Sequence, residues 1–142
     1  MAWAGTTLYL GQFEKSLEYL DKAIRLSPHD PAPPGWVGEA AGHFAMKEYD
    51  QTIEWARRAI AISPSAHPWM HLNLIAALAL AGHEAEAHEA LQNYLASVPS
   101  GPKTIAAWKV AAAPDLHIGN PRYLETWDRY FDGLRKAGMP EE

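Results

Sequence analysis

Histidine is the side chain best suited to hold a metal or move a proton near neutral pH, and this chain of 142 residues has seven. His67 and His71 stand four apart, the spacing of neighbours on one helical face. Pro68 lies between them at an expected helix start, so the two need not share a face, and no His-Glu-x-x-His pattern surrounds them. His83 and His88, five apart, are a weaker pair. No Gly-x-Ser-x-Gly elbow and no phosphate-cradling glycine loop occurs; Gly35 and Gly38 read as backbone freedom near a helix start. There is no cysteine, which removes disulfides, thiolate metal sites and thiol catalysis together and suits a reducing cytoplasm. The expectation is therefore no catalytic residue, no cofactor and no metal.

Charge narrows the class further. The formal net charge is −5, against the basic excess that a nucleic-acid or anionic-membrane surface needs. The basic doublets Arg57-Arg58 and Arg135-Lys136 read as solvated helix faces, and aromatics do not alternate with basic residues as in single-strand binders. Hydrophobic residues make up 48%, enough for one packed domain and too many for disorder. No secretory leader pattern opens the chain. The longest apolar run, Leu74 to Ala81, falls far short of the ~20 residues a bilayer span takes. A cytoplasmic protein without a membrane segment is the expectation.

The elements that would position any site follow from hydrophobic spacing and breakers. Helices are predicted over 2–10, 13–26, 35–46, 49–62, 68–81 and 84–97, with Gly11, the four prolines of 28–34, Lys47 and Gly82 between them. One phrase returns along this series: Ala23-Ile24-Arg25-Leu26-Ser27-Pro28, then Ala59-Ile60-Ala61-Ile62-Ser63-Pro64, then more loosely Tyr94-Leu95-Ala96-Ser97-Val98-Pro99. Its prolines lie 36 and 35 residues apart. A fixed period in the mid-thirties marks a stacked helical array, whose single units cannot bury their apolar faces alone. Further on, 102–113 can form a helix stopped by Pro114. Asn120-Pro121 then opens a last helix to Ala137, closed by Gly138 and Pro140. Leu124, Trp127, Phe131 and Leu134 form its apolar stripe, flanked by Tyr123 and Tyr130, and its charges, Arg129 among them, are expected elsewhere. The short connection 114–120 predicts docking on the 102–113 helix and the end of the third unit.

The residues that recur at fixed places in each unit are Gly11/Phe13/Ser16/Ala23/Pro28, Lys47/Tyr49/Thr52/Ala59/Pro64 and Gly82/Glu84/Ala87/Tyr94/Pro99. In these the chain resembles the tetratricopeptide (TPR) repeat family, which pairs antiparallel helices through a small residue early in the second. It departs from the pattern at Lys47, where glycine is usual, at Tyr94, where alanine is usual, and in a longer loop after Pro28. The resemblance implies an all-α, right-handed TPR-type solenoid over 1–99, with about three repeats and the first truncated at its N-terminus. Residues 100–142 would be a degenerate helical pair capping the open end. The short first helix suggests a fragment of a longer protein. The closing string Arg129 to Glu141 resembles the extreme C-terminus of bacterial adenylate/guanylate cyclase proteins that carry C-terminal TPRs. None of the cyclase machinery is in this chain.

The TPR resemblance also implies where a partner would bind. The first helix of each pair lines the concave groove, which helical phase here assigns to Gly5, Leu8 and Tyr9, then Pro34, Val37, Ala41 and Phe44, then Trp69, Leu72, Asn73, Ala76 and Leu80. A family subgroup clamps acidic chaperone tails through basic residues and asparagines. Those places are held here by Met1, Gly5, Gly38, Trp69 and Asn73, of which only the asparagine fits, so that clamp is rejected. An apolar, aromatic groove suits an amphipathic helix or an extended apolar segment. The expected function is a non-catalytic protein-interaction or regulatory scaffold module. Its partner would be a protein or peptide in the groove, or another domain of the same parent protein. The alternative is a dimerisation or regulatory module attached to an upstream cyclase domain, with a homodimer formed through the C-terminal helix.

Overall fold

A computed structural model describes residues 12–26, 35–62, 68–116 and 119–142. Among the described residues there are seven α-helices and no strand: α1 Phe13–Leu26, α2 Gly35–Ala45, α3 Tyr49–Ile62, α4 Pro68–Leu80, α5 Glu84–Ser97, α6 Ile105–Leu116 and α7 Pro121–Ala137. The helix predicted over 2–10 and the proline-rich loop lie outside the described residues.

Helices α2 and α3 are joined by residues 46–48, and α4 and α5 by 81–83. Turns so short return the chain along itself, so each pair is an antiparallel hairpin. Both turns close with the same hydrogen bonds. The N–H of Gly82 donates to Ala79 O at 3.2 Å and that of His83 to Leu78 O at 2.8 Å, with Gly82 at φ +91°. Lys47 donates to Phe44 O at 3.0 Å and Glu48 to His43 O at 2.9 Å. This double bond pattern needs a left-handed residue at the turn. Lys47 supplies it at φ +64°, alone among the described non-glycine residues, and bears a steric cost that glycine avoids.

Within the first full hairpin the second helix approaches through Thr52, which is wholly buried and donates its hydroxyl to Ala40 O at 3.3 Å. Ala56 is equally buried, and in the next hairpin Ala87 holds the place of Thr52. Small side chains let the backbones come close. Successive helices α1 to α5 pack each on the next, and α2 also touches α4.

Helix α4 is the centre of the molecule. Every residue from Met70 to Ala79 is buried, because α2, α3, α5 and α7 surround it. A mostly apolar sequence suits a helix covered on all sides, with His71 and Asn73 its only polar side chains.

The C-terminal helices depart from expectation. Helix α6 starts at Ile105, not 102, because Thr104 is its cap: Oγ1 of Thr104 accepts from the N–H of Ala107 at 3.1 Å. The first two N–H groups go to the chain's own tail, Ile105 to Pro140 O and Ala106 to Glu141 O, both at 2.9 Å. The helix also runs past Pro114 to Leu116. The bond that proline cannot make would end on the carbonyl of Val110, whose side chain faces solvent, so water can take that acceptor.

Helix α7 has the strongest ends. Asn120 Oδ1 accepts from the N–H groups of Arg122 and Tyr123 at 3.1 and 3.3 Å, with Pro121 in the first turn. Gly138, at φ +104°, closes the other end. Its principal seat is α4, with smaller contacts to α5, α6 and α2. Of the expected docking on the 102–113 helix and the end of the third unit, the contact with α6 is minor and the third unit carries most of it, chiefly through its first helix, α4. The buried face includes Tyr123, Trp127, Tyr130, Phe131 and Leu134, and it is wide enough to span several helices.

Candidate functional site

The most organised polar and aromatic constellation lies where α7 crosses α2 and α4. Asn73, on the buried helix α4, donates from Nδ2 to Trp69 O at 2.9 Å, one turn back. That fixes the amide and turns Oδ1 outward, where it accepts from the Tyr130 hydroxyl at 2.6 Å. The Tyr130 ring lies flat on Phe44, with centroids 3.9 Å apart and planes 6° from parallel. Burial pushes the Tyr130 hydroxyl far above its ordinary range, so it stays a proton donor.

A second set of rings lies one turn earlier on the same face, where Trp127 is 5.2 Å from Tyr130. Trp127 meets Trp69 at 5.2 Å and Trp69 meets Trp108 at 5.5 Å, both near perpendicular. Edge-to-face packing of this kind orients rings more than area burial does. The indole N–H groups of Trp108 and Trp127 are buried with no acceptor among the described residues. Each costs about 1–3 kcal/mol, which the packed aromatic area offsets. One turn beyond Tyr130, Gly133 lies on Ala76: a Cβ at Gly133 would sit 2.7 Å from the Ala76 Cα. Only glycine lets the two helices touch there.

Arg129 ties the crossing to α2. Its guanidinium donates to Phe44 O and Ala45 O, each at 2.8 Å, and lies 5.3 Å from the Phe44 ring centroid. The end of a helix leaves carbonyls unpaired and carries partial negative charge, so a cation there is bound twice over. Glu125, 2.8 Å from Nε, holds the side chain in place. The expectation that Arg129 would lie away from the packed face is corrected: its side chain is only 13% exposed. At the far end of α7, His88 of α5 lies 3.2 Å from Ala137 O.

Among the groove residues named from sequence, Phe44, Trp69, Asn73 and Ala76 come together under α7. Leu72 is wholly buried within the core, and Leu80 is partly buried at the end of α4. Tyr9 lies outside the described residues, as does the Val37 side chain, although its backbone belongs to α2. Arg129, Tyr130 and Gly133 were missed as participants. A glycine inside a strongly amphipathic helix was the one available sign of a close helix approach.

Near this crossing, His43 lies between Glu39, 3.3 Å from Nε2, and Glu48, 3.2 Å from Nδ1. The bond to Glu39, aided by Glu48, holds the imidazole above its usual 6.5. The His67 side of the His67/His71 pair lies outside the described residues, and His71 is buried against the Tyr94 ring. Among the described residues no three His, Asp or Glu side chains are arranged to hold a metal ion, and no helix is long and apolar enough to cross a membrane. Compared with protein-family models and with curated proteins, the chain matches none.

Proposed function

We propose that this chain is a TPR-type helical-repeat module, a right-handed solenoid that acts as a non-catalytic interaction or regulatory scaffold and binds an amphipathic helix on its first-helix face. The observation that carries the reading is the seating of α7 on α2 and α4. It uses the face as a partner would, with aromatic knobs at Trp127 and Tyr130, a glycine contact at Gly133, and Arg129 on the carbonyls that end α2. The hairpin order and the small residues Thr52 and Ala87 at matching places support the repeat assignment. The closing string has a role of its own in packing: Arg129, Tyr130, Gly133, Gly138 and Pro140 each make a defined contact, so the string adds no separate argument for a cyclase parent.

A tethered helix has an effective concentration near millimolar, so a free helix competes only once the tethered one is loosened. The test uses Arg129→Ala, checked as folded by circular dichroism, and a fluorescein-labelled peptide of residues 120–139. Saturable binding at about 1–100 µM, abolished by Ala76→Trp, is expected. Absence of binding to the folded variant would refute the reading.

A further inference from the structure

We infer that the outer edge of α6 and α7 is a self-association surface that pairs two copies of this chain about a two-fold axis. Helix α6 reads Ile-Ala-Ala-Trp-Lys-Val-Ala-Ala-Ala-Pro-Asp-Leu, apolar nearly all round. Such a helix belongs under cover on every side. Only one side is covered. Ile105, Trp108 and Ala112 are buried, while Val110 on the outer side is 75% exposed, flanked by exposed Ala106.

Beside that ridge a cleft of about 640 Å³ opens between α6 and α7, with Leu116, Leu124 and Phe131 among its lining. Lys109, the residue before Val110, lines that cleft with Asp128, Asp132 and Arg135, so the ridge and a cleft with an apolar floor and charged walls belong to one surface. The flanks differ in sign. The exposed charges described on and just before α6 are Lys103 and Lys109, the latter 5.5 Å from the Phe131 ring. The α7 flank carries exposed Asp128 and Asp132. Arg135 on that flank is engaged with Asp132 at 3.1 Å and with Glu141.

A two-fold axis repeats each contact in both directions, so a surface with a knob beside a hole and plus beside minus complements itself. Pairing would seat Val110 in the cleft of the other copy and bring Lys109 to Asp128 of the partner subunit. The occupant is thus a second copy of this chain. The inference is independent of the groove reading above, since Val110, Lys109 and Asp128, on which it turns, take no part in the polar and ring contacts of α7 with α4.

The test is the mass in solution of the intact chain, by sedimentation velocity up to about 200 µM, the weak range of specific interfaces. The expected result is a rise from 15.7 kDa towards twice that mass. Val110→Asp and Lys109→Glu should each weaken association at least tenfold, and Lys109→Glu with Asp128→Lys should restore it. Val110 is exposed, so its variant stays folded. A mass of 15.7 kDa throughout the range overturns the inference. So does a dimer indifferent to these substitutions, which places the interface on another surface or the cleft under a different partner.

Discussion

Helix α7 has two flanks, and they differ in kind. Towards α4 it is closed: rings stack, Gly133 admits the Ala76 backbone, and Tyr130 and Arg129 satisfy acceptors on α4 and α2. Towards α6 it is open, with a cleft over Phe131 and Leu116 rimmed by charge. Both flanks are apolar at heart. Polar groups placed on acceptors of α4 and α2 fix the first in one register, and nothing comparable spans the second. An apolar stripe makes a helix sticky; buried hydrogen bonds and close backbone contact make it specific.

Three substitutions or titrations probe that contrast. The largest effect is expected from Trp127→Ala, which empties the ring cluster at Trp69 and should cost about 3–5 kcal/mol by urea unfolding. Hydrogen exchange should show the C-terminal third loosening first. If α7 were held mainly by its open flank, the loss would be much smaller.

Arg129→Ala comes next. It leaves the Ala45 carbonyl without its donor, takes one of two donors from that of Phe44, and should cost about 2 kcal/mol. Arg129→Lys should recover only part, because an ammonium cannot reproduce the planar fork. Full recovery by lysine would reduce the interaction to charge at a helix end.

The smallest effect is a pH dependence near His43. Its folded pKa is raised above 6.5 by Glu39 and Glu48, so the charged imidazole stabilises the fold. That contribution is fully present below 6.5 and is lost as pH rises through the raised value. Stability should therefore fall on going from mildly acidic to mildly alkaline solution. His43→Gln should flatten this slope, and an unchanged slope would move the titration elsewhere.

Much of the helical layout was legible in sequence. The bounds 13–26, 49–62 and 84–97 agree with α1, α3 and α5, because glycines, prolines and hydrophobic spacing act locally. The all-helical class followed from the same signals. Helix α6 was misplaced because its start depends on Thr104 and on tail carbonyls at Pro140 and Glu141, far along the chain. The candidate face was half legible. Phase placed Phe44, Trp69, Asn73 and Ala76 on one side, yet phase names a face and not what covers it. Arg129 looked like a solvated charge, since a guanidinium's reach to distant carbonyls leaves no trace in periodicity.

The central position of α4 has a consequence for synthesis. Leu80 ends that helix, and the first residue of its cover, Pro121, is made only after the intervening segment has been translated. At about 5–20 residues per second, that interval lasts some seconds. Until α7 has formed, Trp69 and Ala76 lack the cover it provides, so the nascent chain is most prone to aggregation before that helix is complete.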